Sequence, residues 1–469
     1  MKSIKKFMNS KLAMILLPII VFACILGIPT SDTLSATGQK ALALVVMGIL
    51  FFSFSPISLT ILVPLIVLLQ VPLHISTINE AMIPFTGPVF IYILSMLCLA
   101  VCFENSGLTK RIALFAAIHS HGNPKKLLFR FITVAALSST LVADIPVLVM
   151  LVPICLAIIE KNGINATQSN FAQALLIGIA SGCFIGGMGT PAGSAANPLT
   201  QQILASTCSI RLSFMEWSLI GIPAVVLLIP CLYFSLTFFL PPELSKIAGM
   251  EEMRKEYDEL GQLSRKEKSF LIIFGLTVVL WFTDRIHNIP VQLISLVSVA
   301  IFSLPWLSIF NWQRDHARIN WDVIMLVGGA ASFGEIVSKT GVAAWFAQEW
   351  LAPLVHLPIL LLFACIVLIM IFSQFPFPAT VGAVAAIAPA LIVIAQTKGI
   401  NPAGVLLTMA LGGAAPILSP AICFYPIINA TGVIRYPNVW KGGVLACLAE
   451  VIVIVAIMFT LGKMLGFMQ

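Results

Sequence analysis

Asp144 is the residue from which chemistry is most readily argued. It sits midway along an apolar stretch, 129–159, that is interrupted by Ala143-Asp144-Ile145-Pro146. Within a bilayer a carboxylate costs roughly 3 kcal/mol, so it is retained where it meets a cavity, an ion or a partner. There it can ligate a cation or take up a proton. It can also cap the half-helix that begins at Ile145 and Pro146, because Asp before Pro is a strong helix start. A second stretch, 357–396, is broken in the same manner by Pro376-Phe377-Pro378-Ala379-Thr380-Val381-Gly382. At equal spacing Ala143 corresponds to Ala379, Asp144 to Thr380 and Ile145 to Val381, and Pro153 and Pro389 follow at the same distance.

Two glycine- and proline-rich breaks accompany these stretches. The first, Gly186-Gly187-Met188-Gly189-Thr190-Pro191-Ala192-Gly193-Ser194-Ala195-Ala196-Asn197-Pro198, cannot continue as an unbroken helix. The second runs from Gly412-Gly413-Ala414-Ala415-Pro416 to Ser419-Pro420. Unwound backbone at membrane depth survives only beside a cavity or inside protein. Its freed carbonyls suit a small hard cation, and the N-terminus of the next half-helix suits an anion. The same glycines and prolines also permit close packing and kinks. Paired interruptions of this kind mark the binding site of many membrane transporters.

The elements that must position these residues follow from composition. The chain has 469 residues, 59% hydrophobic and 10% charged, with a mean hydropathy of +1.04, which excludes an ordinary soluble domain. Apolar runs long enough for a bilayer predict an all-α polytopic membrane protein of about 11 transmembrane helices. Spans fall near 12–28, 41–54, 57–71, 88–103, 171–204 (broken), 217–240, 270–283, 290–306, 321–337, 403–428 (broken) and 439–465. Amphipathic segments at 108–126 and 342–350 precede the two interrupted stretches. Lys2, Lys5, Lys6 and Lys11 before the first span resemble a signal peptide without a clear cleavage site, so an uncleaved helix is expected. The ten cysteines and six histidines show no metal-ligand spacing. No paired acids or nucleophile–base arrangement lies in the spans, which disfavours an enzyme.

Charge predicts the topology. If each interrupted stretch re-enters the face it came from, only Lys40, Arg211, Arg285, Lys339, Lys398 and Lys463, of 26 Lys and Arg, fall outside. The N-terminus is then cytoplasmic and the C-terminus outside. Glu104-Asn105-Ser106-Gly107-Leu108 and Val337-Ser338-Lys339-Thr340-Gly341-Val342 end two similar helices of opposite orientation, so inverted repeats are expected. The expected divisions are N-terminal scaffold helices (1–72), first repeat (73–240), cytoplasmic linker (241–268), scaffold helices (269–306), second repeat (307–432) and C-terminal helix (433–469). Glu335 is expected to pair with Lys339 one turn on. Glu450 stands mid-span outside the repeats.

Trp321-Asp322-Val323-Ile324-Met325-Leu326-Val327-Gly328-Gly329, running on to Lys339-Thr340-Gly341, resembles a signature of the divalent anion:sodium symporters, which include dicarboxylate, citrate and sulfate transporters. The Gly186 to Pro198 motif and the order of elements are also similar to that family. The resemblance implies a homodimer whose hairpins and broken helices move as an elevator past a fixed scaffold. It implies solute binding near Ala143, Asp144, Ile145, Thr190, Pro191, Ser194, Asn197, Ala379, Thr380, Val381, Ser419 and Pro420. Cation binding, of sodium or a proton, is implied near Asp144, Gly186, Gly189, Thr380, Gly412 and Ala415. In that family each tip carries Ser-Asn-Thr. Here four of the six matching positions lack a hydrogen-bonding side chain, which marks a divergent member with altered solute or coupling ion. The expected function is a secondary active transporter of small anions, di- or tricarboxylates or sulfate-like oxyanions, coupled to a cation or proton or working by exchange, and the competing expectation is a cation/proton antiporter built on Asp144.

Overall fold

The computed structural model describes residues 11–29, 34–54, 57–377, 379–416, 419–420 and 422–468. Lys2, Lys5, Lys6 and Pro378 lie outside the described residues, as do Ile417 and Leu418 within the second break. Among the described residues every regular element is helical. Leaving aside single turns, the helices are α1 (Lys11–Gly27), α2 (Ala36–Phe54), α3 (Leu59–Leu68), α4 (Pro88–Ser106), α5 (Leu108–Ile118), α6 (Pro124–Leu141), α7 (Asp144–Lys161), α8 (Asn170–Gly187), α9 (Ala196–Cys208) and α10 (Phe214–Phe239). They continue as α11 (Met250–Glu259), α12 (Arg265–Phe282), α13 (Val291–Phe302), α14 (Trp321–Lys339), α15 (Val342–Glu349), α16 (Ile359–Ser373), α17 (Thr380–Lys398), α18 (Pro402–Gly412), α19 (Phe424–Asn429) and α20 (Tyr436–Ile457). Six of the described helices are long and apolar enough to cross a membrane, and six shorter apolar ones accompany them.

Local signals explain where the elements begin. The expected basic segment 108–126 is split, because Asn123 accepts a hydrogen bond from the Lys126 amide and Pro124 occupies the first helical position, so α6 starts before Phe129. Helix α12 starts five residues ahead of its apolar run, at Arg265, where Ser264 and Glu267 form a reciprocal capping box. The linker 241–268 is not irregular throughout, since it carries α11. The last span opens at Tyr436 and runs into a single wide turn, Met458–Gly462.

Both interrupted stretches are helical hairpins whose open ends are tied shut. The Ile247 amide donates to the Gly122 carbonyl at 2.8 Å, and the next amide, Ala248, donates to Asn162 Oδ1 at 2.7 Å. Gly122 and Asn162 flank the α6–α7 hairpin, so its two ends reach consecutive residues of one segment. In the other hairpin Lys398 Nζ, at the end of α17, donates to the Val355 and Leu357 carbonyls ahead of α16, at 2.7 and 2.8 Å. An ammonium there also favours the negative end of α17.

Between the legs of each hairpin lies a broken helix. Helix α8 meets α6 through Gly178, Gly182 and Gly186, one turn apart. A Cβ on Gly186 would stand 2.1 Å from the Ala136 carbonyl oxygen and one on Gly182 3.0 Å from that of Ile132, so only glycine allows this approach. Helix α18 approaches α16 similarly, with 2.9 Å from a Cβ on Gly412 to Val367 Cα.

The expected Glu335–Lys339 pair is present at 2.7 Å. Glu450 is fully buried in α20, and neither of its carboxyl oxygens has a hydrogen-bond partner among the described residues. Desolvating a carboxyl without compensation costs free energy, and an apolar replacement of similar volume removes that cost. Glu450→Leu is therefore expected to leave thermal stability in detergent unchanged or raise it by about 1 kcal/mol; a marked fall in melting temperature would contradict the unpartnered assignment.

Candidate functional site

The α6–α7 hairpin turns at Val142 and Ala143, and Pro146 in the first turn of α7 fixes the restart. The Asp144 amide donates to the Gly193 carbonyl at 3.1 Å, binding this tip to the break between α8 and α9. Its carboxylate accepts the Ile145 amide at 2.8 Å and the Ser194 hydroxyl. A Cβ on Gly187 would stand 3.0 Å from Asp144 Oδ2, so that glycine leaves the carboxylate its room.

The unwound backbone next to this tip is satisfied from within the protein. Asn197 Nδ2 donates to the Gly187 and Thr190 carbonyls at 2.8 and 2.7 Å, and Trp217 Nε1 donates to that of Met188 at 3.0 Å. Ser139 Oγ serves Cys183, and Thr190 Oγ1 donates to the Thr140 carbonyl at 2.5 Å. The second break repeats the device with other residues. Thr380 Oγ1 donates to the Gly413 carbonyl at 3.2 Å, Gln374 Nε2 to Ala415 at 3.3 Å, and Ser419 Oγ to Gln374 at 2.6 Å. The two breaks meet where Ser181 Oγ donates to the Pro416 carbonyl and the rings of Phe184 and Phe424 lie 4.6 Å apart.

Both tips face one cavity with two lobes. The larger lobe, about 370 Å³, is walled by the apolar face of α4 (Ile93, Met96, Leu97, Val101), by Ala143, Asp144, Ile145, Pro146 and Val149, and by Pro191, Ser194 and Ala195, with Glu104 and Arg318 also on its wall. The smaller, about 200 Å³, shares Asp144, Ile145, Ser194, Ala195, Asn320 and Val323 with it and extends to Ala379, Thr380, Val381, Cys423 and Phe424. Of the expected solute-site residues, Ala143, Asp144, Ile145, Pro191, Ser194, Ala379, Thr380 and Val381 thus come together. Thr190 and Asn197 are buried and hold backbone instead, and Ser419 does the same at the second break. Pro420 is exposed and away from either lobe. Gly186 and Gly412 serve helix packing, Gly189 lies against Thr140, and Ala415 is buried with its carbonyl on Gln374.

Sequence reasoning missed the opposite wall. Asn320 caps α14 by accepting the Val323 amide, and an Asn ahead of a helical run was the available signal. Asp322 reaches α3, where its Oδ1 accepts the Ser58 and Thr60 hydroxyls and the Thr60 amide at 2.6–2.8 Å. Arg318 is paired with Glu104, donates to Asn105 Oδ1 at 2.6 Å and lies 3.5 Å from Asp315. Burial pushes the Asp315 carboxyl up, but hydrogen bonds from Arg314, the Asn311 amide and Asn105 overcome it and hold the group at about 2. Among the described residues the only lining guanidinium is therefore committed to acids. The helices beginning at Asp144, Ala196, Trp321 and Thr380 bring their N-terminal ends to the cavity, which favours negative charge there.

The chain matches the sodium:sulfate symporter transmembrane region over residues 9–468. It belongs to that family. It is a multi-pass membrane transporter of anions and not an enzyme. A membrane protein of Cupriavidus necator is 24% identical over 84% of this chain and 82% of its own. The sodium-dependent dicarboxylate transporter SdcS of Staphylococcus saprophyticus is 25% identical over 77% of this chain and 75% of its own. The fold resembles that of the Alcanivorax borkumensis YdaH transporter, with a TM-score of 0.55 at 15% identity over 98% of both chains.

Removing Asn197 strands the Gly187 carbonyl and leaves that of Thr190 with the Gly193 amide alone. Asn197→Ala is expected to lower stability by about 2 kcal/mol, read as a fall in melting temperature in detergent.

Proposed function

We propose that the protein is a secondary active transporter that carries a small organic or inorganic anion in company with sodium or a proton, with Asp144 as the group that binds the coupling cation. The observation that carries this reading is the Asp144 carboxylate on the shared wall of a cavity ringed by helix N-termini. Its partners are neutral, the Ile145 amide and the Ser194 hydroxyl, so a cation is required to balance it. The similarity to SdcS, a sodium-dependent dicarboxylate transporter, supports sodium.

The halves are inverted repeats with the divisions given above, the N-terminus is cytoplasmic and the C-terminus outside, and the chain works as a homodimer. The two hairpins and broken helices travel as an elevator against the remaining helices. The closed ends of both hairpins support re-entry from one face each. Cysteines placed at Lys125 and Lys161 are expected to react with an impermeant reagent from the same side of sealed vesicles; labelling from opposite sides would refute re-entry.

In proteoliposomes, Asp144→Asn is expected to abolish acceleration of uptake by a sodium or pH gradient while the protein remains folded. Gradient dependence equal to the wild type would remove Asp144 from coupling. The uncompensated carboxylate also fits a cation/proton antiporter, which counterflow of a labelled anion separates, since exchange of anion is expected only of the first reading.

A further inference from the structure

We infer that the solute is an amphipathic monoanion, an organic acid with one charge and an apolar body, and not a di- or tricarboxylate or sulfate. The inference rests on the reading of this cavity as the solute site.

Charge is the first ground. A dianion brought out of water needs cationic or donor partners to replace its hydration. Arg318 is the one lining cation among the described residues, and it is already held by Glu104, Asn105 and Asp315. Asp144 adds a negative charge to the wall, and Asp322, held by the neutral groups of Ser58 and Thr60, adds another at the smaller lobe. One coupling cation at Asp144 offsets the first charge but does not supply a counter-charge for a second carboxylate on the solute.

Hydrogen-bonding capacity is the second. The hydroxyl of Thr380, at the second hairpin tip, donates to Gly413, that of Thr190 to Thr140, and that of Ser419 to Gln374. Ser194 is turned to Asp144. What remains for an anion is the amide nitrogen of the Asn320 side chain, the positive end of α9, which borders both lobes, and that of α17 at the smaller lobe. That arrangement holds one charged group beside the cation at Asp144.

The third ground is the larger lobe. Ile93, Met96, Leu97 and Val101 form one wall, with Pro146 and Val149 among the residues across from α4. Its volume of about 370 Å³ falls within the range of pockets for small organic ligands, on the order of 300–1,000 Å³. A short dicarboxylate would place a charge against this hydrocarbon surface, whereas an apolar body removes it from water. The charged end therefore sits in the smaller lobe and the body in the larger.

The test is binding by the full-length protein in nanodiscs with saturating sodium, using 3-phenylpropionate and octanoate against succinate, citrate and sulfate. The aryl or alkyl monoanion is expected to bind at least tenfold more tightly than any of the three multivalent anions. Val149→Thr, which preserves shape, and Leu97→Ala are each expected to weaken that binding severalfold. Equal or tighter binding of succinate, citrate or sulfate would overturn the inference and leave the anion-transport reading standing. Monoanion binding indifferent to both wall variants would overturn it also. If none of the five binds, the site reading falls with it.

Discussion

Backbone amides and carbonyls that leave a helix in the low-dielectric interior of a membrane protein must find partners inside the protein. The structure is organised around that constraint at its two breaks. At the first, Asn197 bonds to the carbonyl at the end of α8 and to that of Thr190 within the break, while Trp217 and Ser139 serve the carbonyls between and before. At the second, Thr380 and Gln374 perform the same task from the neighbouring hairpin, and Ser419 in the break donates back to the Gln374 carbonyl. Polar side chains that look free in an apolar sequence are thereby committed to holding irregular backbone.

This commitment shapes the cavity. Side chains that satisfy backbone are not available to the cavity, whose surface is mostly hydrocarbon with the carboxylates of Asp144 and Asp322 on it. Asp144 is tied through neutral donors, its own neighbour's amide and Ser194, and it borders both lobes. Asp322, although it lines the smaller lobe, is consumed in starting α3. Arg318 is consumed by Glu104 and its surroundings. Electrostatics at the cavity therefore reduces to two acids, Asp144 and Asp322, opposed by helix ends.

Close approach complements the polar staples. The glycine row of α8 against α6 brings the break within reach of Ser139 and Thr140 on the hairpin's first leg. The tied ends of each hairpin limit how far its legs can splay. Tip, break and staple are thus held as a unit on which Asp144 is mounted.

Much of this was legible in residue order. Hydropathy and length determined an all-helical membrane protein, because only helices and closed barrels satisfy the backbone in lipid and apolar runs of this length suit helices. Paired prolines and glycines determined where helices stop, and Asp144 was singled out because an acid in such a setting is costly. Tertiary structure alone decided which polar residues face the cavity. Thr190, Asn197 and Ser419 carry the same groups whether they bind a solute or a carbonyl, and only the position of the nearest unwound strand of backbone selects between those uses. The wall built from α4, Arg318 and Asn320 was equally hidden, since its residues lie some 200 positions from one another in sequence, and nothing in local periodicity records that long-range packing.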